Sequence, residues 1–450
     1  MFKAELGTQW LVLPNGKHLN NIYSASIRNM TRIFSFFRRG KILMKKETST
    51  TVVIYIIGLL PFVMVVGNSM FIPIIPDIQH ALQLTAVEGG LVLTVFSIPA
   101  ALMIPIIGLI SDRVGRKKVI LVSLLFIMIG SLFSATAPVF LEDQGAFSML
   151  LLGRFLQGVG AGGTAPMAMA LAGDLFEGLD RSKALGTVEV FNSLGKVISP
   201  IIGAFIAVYL WFATFFVYFF LALFAYFGIK ILINESSKKT EPVGLKEYRR
   251  SMSEIIMREF KWLIPIFFAS GVGLLLLFGL MFFMSYYLEE SYGIYGTMKG
   301  IYLALPLVFL TLFSYWTGKN MGDNKDHVKR FLLLGLSLLV SSFAFLIFYH
   351  GLISLLILIS LASIGLGFFL PAASTAVASS VGVNERGLVV SLYSMIRFLG
   401  VALGPITFSV LMYEPVELFF SSFFLVGISF VLLISSWTCI PILKDCVSRI

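Results

Sequence analysis

Long apolar stretches, recurring along almost the whole chain, limit what it can fold into more than any other feature. About 20 mostly apolar residues are needed for an α-helix to cross a bilayer. Twelve such segments, centred near residues 64, 99, 127, 161, 196, 221, 275, 308, 339, 366, 399 and 428, are separated by short turns rich in Gly, Pro or charge. The expected fold class is therefore an all-α membrane protein of twelve transmembrane helices. Only 13% of the 450 residues are charged and 58% are hydrophobic, where a soluble domain carries about 25% charged residues. This balance excludes a soluble enzyme.

The longest polar interruption lies between the sixth and seventh segments and contains Asn234, Glu235, Lys238, Lys239, Lys246, Arg249 and Arg250. It divides the chain into a basic N-terminal segment (1–50), a six-helix half (51–233), a linker (234–260), a second six-helix half (261–441) and a short tail (442–450). Residues 1–43 read as a tail or an upstream start, since Met44-Lys45-Lys46 suits the beginning of the first helix. Alternatively, the basic run from Ile27 to Lys41 lies on the anionic inner leaflet. Cleavage as a signal peptide is not expected, because the apolar run from Val52 is too long and lacks a small-residue cleavage site.

The location of charge fixes an orientation. With loops assigned alternately to two sides, 30 of the 34 Lys and Arg residues fall on the side of the termini, and Lys299 alone falls on the other. Basic loops stay inside, so both termini are expected in the cytoplasm of a plasma-membrane protein. The formal net charge of +10 is thus mostly a topology signal, and no nucleic-acid partner is expected. Cys439 and Cys446 supply no disulfide framework, and His18, His80, His327 and His350 are too scattered for a metal site.

An internal repeat supports two parallel halves. A shift of 205 places Gly160 on Gly365, Gly162 on Gly367, Pro166 on Pro371, Asp180-Arg181 on Glu385-Arg386, Gly195 on Gly400 and Pro200 on Pro405. Repeated halves around a central axis are an architecture of secondary transporters that rock one half against the other.

The turn after the second segment reads Gly108-Leu-Ile-Ser-Asp112-Arg113-Val-Gly115-Arg116-Lys117-Lys118. Here the chain resembles the major facilitator superfamily, whose loop signature is a Gly, an Asp four residues on, then Arg, Gly, Arg and Lys. The resemblance implies a gating loop that latches the halves on the inner side in the outward-open state, with the eleventh helix as partner. Gly318-Lys-Asn-Met-Gly322-Asp323 is a degraded copy in the second half. Three further stretches resemble the twelve-helix drug:proton antiporter branch: Gly67 with Pro73 and Pro76; Arg154 with Gln157, Gly158, Gly160 and Ala161; and Gly195, Ser199, Pro200, Gly203 and Ala204. Ser199 and Ala204 replace two glycines of the branch's pattern. The resemblance covers about residues 50–440 and implies proton-coupled efflux, with Arg154 in proton transfer.

Apart from the resemblance, Gly195, Ser199 and Gly203 lie four apart on one helix face, where a neighbouring helix can approach closely, while Pro200 frees a carbonyl and permits a bend. Gly400, Gly404 and Pro405 repeat this device in the eleventh helix. The Gly158-x-Gly160-x-x-Gly163 string has no preceding strand and is not read as a nucleotide site.

Charges inside the membrane cost at least about 2.5 to 3.5 kcal/mol each on insertion scales, so those present are site candidates. They are Arg154, Glu189, Lys196 and Arg397. Glu189, Asn192 and Lys196 share a helix face; Lys196 is expected near the midplane, and Arg397 occupies the repeat position of Asn192. Glu189, the one deep carboxylate expected, is a candidate proton carrier. Asn68 is a candidate neutral contact, and Asp77 and Glu88 mark the outer ends of the first two helices. Three cations against one anion suit an anionic or zwitterionic substrate.

These features together point to a secondary transporter and not an enzyme: a proton-coupled efflux antiporter of a small amphipathic compound. Its expected partners are the bilayer, the substrate and protons; it acts as a monomer, with no cofactor or metal beyond the proton gradient as energy source. Uptake by symport, translocation of a lipid or glycolipid, and a non-transporting receptor or scaffold stay open at this point.

Overall fold

The computed structural model describes residues 50–234, 245–321, 325–381 and 383–436. The basic N-terminal run, residues 235–244 of the linker and the C-terminal tail lie outside them. The chain divides into two units, Met1–Val53 and Ile54–Ile450. Of the first, the described part is the opening turn of a helix; the second contains the sites considered below.

Among the described residues, eleven helices are long and apolar enough to cross a membrane, and a helix broken in two supplies the twelfth crossing. In chain order they are α1 (Thr50–Ser69, continued after a tight turn by Ile75–Leu82), α2 (Ala86–Val114), α3 (Arg116–Phe140), α4 (Asp143–Ala161 and Ala165–Leu175), α5 (Gly178–Ala207) and α6 (Ala213–Leu232). The second half has α7 (Leu245–Tyr292), α8 (Gly296–Met321), α9 (Lys325–Leu346), α10 (Gly351–Ser379), α11 (Val383–Leu411) and α12 (Pro415–Ser435). The start of α7 lies inside the stretch expected as linker, because residues 245–261 are charged but contain neither Gly nor Pro, so nothing in them stops a helix.

Both broken helices break at prolines. In α1 the amide of Phe71 turns to the carbonyl of Asn68 at 3.2 Å, ahead of Pro73 and Pro76, which carry no N–H. The carbonyl of Gly67 is thereby released from its usual helical donor. In α4 the break falls at Gly162–Thr164, before Pro166, and the Thr164 hydroxyl donates back to the carbonyl of Ala161 at 2.7 Å. The glycines that spell the nucleotide-like string lie just before and within this break. A Cβ at Gly158 would collide with the Phe96 carbonyl of α2, and one at Gly160 with the Ser123 carbonyl of α3. Their role is close helix approach.

The repeat seen in the sequence is also a repeat of packing. Helix α4 lies on α2 and α3, as α10 lies on α8 and α9. Gly195 of α5 meets Phe62 and Val65 of α1, and its repeat mate Gly400 of α11 meets the carbonyl of Gly271 on α7. Gly203 faces the Met70 carbonyl and Gly404 the Leu275 carbonyl. The expected seams therefore lie within each half.

Between the halves, α2 faces α11 and α5 faces α8. We call the end bearing the α2–α3 loop the basic end, and the end bearing Asp77, Glu88, Glu289 and Glu290 the acidic end. Toward the acidic end the halves touch. The Thr94 hydroxyl donates to the Ala402 carbonyl at 2.8 Å, Gly90 abuts Pro405, Ile406 and Ser409, and Gly300 abuts Pro200, Ile201 and Ala204. Toward the basic end, Gly108 (α2), Gly186 (α5), Gly318 (α8) and Gly387 (α11) each face open space. The same four helices are thus closed at one end and not at the other.

Candidate functional site

Lys196 and Arg397 come from opposite halves and meet just short of the closed zone. Pro200, whose carbonyl abuts Gly300, is one helical turn above Lys196, about 6 Å along the axis. Ala402, which accepts from Thr94, is five residues beyond Arg397. The Lys196 ammonium interacts electrostatically with both Glu189 and Arg397. Both cations are half-buried. The guanidinium of Arg397 lies 5.5 Å from the centroid of the Tyr393 ring, and its Nε is buried with no hydrogen-bond partner among the described residues. Tyr393 is itself held by α7: the Ser270 hydroxyl donates to its oxygen at 3.1 Å, and Phe267 lies 5.6 Å from its ring. Two like charges held in range, one with an unused donor, make a place where an anion would relieve repulsion and take a charge-assisted hydrogen bond.

Several residues proposed from the sequence lie elsewhere. Glu189 is exposed rather than deep, and accepts from Asn192 Nδ2 at 3.2 Å. It sits on an uncovered face of α5, while Ala184 and Val188 beside it are fully buried. Among the described residues the buried carboxylate is Glu289, 6% exposed, which sequence reasoning missed.

Arg154 has no exposed surface at all. Its Nε donates to the Val92 carbonyl at 2.9 Å, and Nη1 to the released Gly67 carbonyl and to Gln157 Oε1, both at 2.8 Å. Phe71 and Phe96 cover its two faces at 4.6 and 4.4 Å. Gln157 passes the connection on to the Ser131 hydroxyl at 3.3 Å. Arg154 and Gln157 therefore tie α1, α2, α3 and α4 into one half, and neither reaches the space between halves. A released carbonyl in an apolar interior needs a donor, and Arg154 supplies it. Asn68, 4% exposed, has its Oδ1 unpartnered among the described residues, as does the buried hydroxyl of Ser199.

The loop after α2 is ordered by its own residues. Gly115 has φ 101°, where a Cβ would be strained. Arg116 pairs with Asp112 at 3.5 Å and with Asp174 of α4. Lys117 donates to the carbonyls of Lys230 at 3.0 Å and Ile233 at 2.5 Å, capping the C-terminal end of α6. Asp112 thus pairs with Arg116, its own neighbour one turn on. Gly108 faces open space. Arg113 follows Asp112 at the end of α2.

Polar ties of another kind join the halves at the acidic end. Lys299, 1% exposed, donates to Glu289 Oε2 at 2.5 Å and lies 3.7 Å from Asp77 Oδ2. Glu289 Oε1 is 3.8 Å from His80 Nε2. The Tyr286 hydroxyl donates to Gln79 Oε1 at 2.5 Å, and the Ser285 hydroxyl to the Ile72 carbonyl at 3.1 Å. That carbonyl also accepts the Ile75 N–H in the tight turn of α1, where Pro76 has no N–H to offer it. Asp77, read as a mere end marker, thus belongs to a cluster across the halves, whereas Glu88 does cap its own helix through Thr85. The signal for this cluster was present in Lys299, the lone cation on its side of the membrane.

Two repeated six-helix halves, closed on each other at one end with a pair of half-buried cations just short of the closure, define a membrane transporter of a small molecule. A family model described as Major Facilitator Superfamily matches residues 57–405, and again residues 267–441, and the chain belongs to that superfamily. Among its relatives is the bacillibactin exporter of Bacillus subtilis (strain 168), 37% identical over 354 residues, which cover 78% of this chain and 88% of the relative. Multidrug resistance protein 1 of the same organism is 27% identical over 360 residues, 77% of this chain and 86% of the relative. A solved bacterial homologue of the human lysosomal transporter Spinster, in an inward-facing and unoccupied conformation, shares the fold with a TM-score of 0.68 at 14% identity, over 90% of this chain and all of that one.

Proposed function

We propose that the protein is a proton-coupled antiporter of the plasma membrane, exporting a small amphipathic compound that carries an acidic group. The observation behind this reading is the Lys196 and Arg397 pair, with the unused Nε of Arg397. Kinship with an exporter over most of both chains supports the direction. With the basic end and both termini in the cytoplasm, the described conformation is open inward, where a compound made in the cell enters. The acidic group binds between Lys196 and Arg397, drawing the halves together, and the apolar remainder lies along the walls. Rocking of the halves then opens the acidic end outward.

The test uses proteoliposomes with an imposed pH gradient and a panel of anionic, neutral and cationic compounds. Lys196→Ala is expected to raise the KM for acidic compounds roughly tenfold or more, the value of one hydrogen bond to a charged group, with little change for cationic ones. Equal loss for both, or none for either, refutes the site. Failure of wild type to move any compound it binds would favour a receptor.

A further inference from the structure

The cluster at the acidic end has a charge arithmetic that the substrate site does not use. The outer piece of α1 contributes Asp77 and His80, and the other half contributes Glu289 and Glu290 on α7 and Lys299 on α8. With His80 neutral, the α1 side carries one net negative charge. Glu289 and Glu290, less Lys299, leave one net negative charge on the facing side as well. Closure therefore brings like charges together around one shared ammonium, in a place where Lys299 and Glu289 are almost fully buried. One added proton on the α1 side, on an Asp77 oxygen or on the His80 ring, removes that repulsion; on His80 it also creates an attraction to Glu289 across the halves.

The other charged groups on the packed elements are engaged elsewhere. Glu88 of α2 is bonded to Thr85, and Arg154 of α4 to the Gly67 and Val92 carbonyls. Tyr286 donates to Gln79, and Tyr413 is in electrostatic range of Glu290. His80, with 70% of its side chain exposed, Asp77, with 38%, and the exposed Glu290 are the members open to the medium, and the first two are those of the α1 side.

We propose that Asp77 and His80, set against Glu289, Glu290 and Lys299, are where an external proton binds, and that its uptake lets the outer ends of the two halves close. The proton comes from the external medium and no covalent bond of the protein breaks. This rests on the orientation proposed above and makes the cluster an external pH-sensitive latch, separate from the coupling proton: acid outside returns the emptied carrier to its inward-open form, and since both groups stay open to the external side there, the proton leaves to that side when the ends part. Lys299 serves as the latch that both sides share.

The test reads conformation rather than transport. Ala402, fully buried where α11 meets α2, is replaced by Cys in a protein whose Cys439 and Cys446 are Ser. The rate of its modification by a membrane-impermeant thiol reagent added outside reports opening of the acidic end. Val416→Cys, at an exposed position of α12, normalises for the thiol's own pH dependence. The normalised rate is expected to fall as the external pH is lowered from about 7.5 to 5.5, by at most about tenfold per pH unit for one coupled proton. Asp77→Asn, which imitates the protonated acid, gives a slow rate throughout that range. Lys299→Met leaves the carboxylates uncompensated and gives a fast rate, which adding Asp77→Asn slows again. A wild-type rate that is flat or rises with acid overturns the proposal, as does Asp77→Asn modified as fast as wild type at neutral pH. If Lys299→Met does not fold, the Asp77→Asn arm decides alone. A pH gradient that fails to drive export would instead refute the coupling reading, whatever the modification rates show.

Discussion

Replacing Arg154 by Met separates a structural tie from a transport residue. Arg154 satisfies three acceptors, Val92 O, Gly67 O and Gln157 Oε1, within one buried cage. In Arg154→Met, of similar length but without donors, the Gly67 carbonyl and Gln157 Oε1 are left unpaired, while Val92, inside α2, keeps its helical donor. At about 1–3 kcal/mol for each buried unsatisfied group, the loss is roughly 2–6 kcal/mol. Hydrogen bonds between membrane helices average only about 0.6 kcal/mol in double-mutant cycles, which sets a floor of about 2 kcal/mol for three. The lost charge partly offsets this, since burying a guanidinium has its own cost, but two aromatic faces also lose a cation, each worth about 0.5–2 kcal/mol. Arg154→Lys retains the charge and, with one nitrogen in place of a fork, reaches one of the two carbonyls; it should fall between wild type and Arg154→Met. Thermal unfolding of purified protein in detergent measures the order. Fractional loss of transport, corrected for folded protein, should then be small for Arg154→Lys at every pH. An Arg154→Met protein that melts with wild type while transport is abolished would refute the structural assignment and restore Arg154 to proton transfer.

Two glycines of the same type should behave oppositely. Gly158→Ala places a methyl on the Phe96 carbonyl and should cost about 1–3 kcal/mol by overpacking, read as a lower melting temperature. Gly108→Ala meets open space at the basic end and should leave the melting temperature unchanged or raised, while slowing turnover if the basic end must close there; unchanged turnover would remove Gly108 from the gate. Lys117→Met uncaps α6 by breaking bonds to the Lys230 and Ile233 carbonyls and should cost about 0.3–2 kcal/mol, with Lys117→Arg retaining most of it in the same melting experiment.

Much of the site was legible in the sequence for reasons of cost. Lys196 and Arg397 stood out because charge in an apolar helix is expensive and must be compensated, and they do come together. The glycines of α4, α5, α10 and α11 stood out because small residues in repeat register mark close helix contacts. What sequence could not supply was the direction each side chain takes around its helix. In a soluble helix the apolar stripe reveals the buried face. Here α6 turns Phe220, Phe224 and Phe227 outward while Phe215 and Tyr218 are buried, so apolar residues occupy both faces and the stripe disappears. Arg154 was therefore a site candidate by its charge alone, and the structure points it into its own half.

The amino-acid sequence by itself determined the twelve crossings, the two repeated halves and the superfamily loop. Those follow from local quantities: apolar length, turn residues, charge and their period. Only the tertiary structure decided which charges meet. Asp77 and Lys299 are 222 positions apart, on different halves, and nothing local couples them; the shared ammonium exists because the acidic ends of the halves are closed on each other. The same holds for Gly67 and Arg154, where a proline-induced break in one helix created an acceptor that a residue of another helix had to fill.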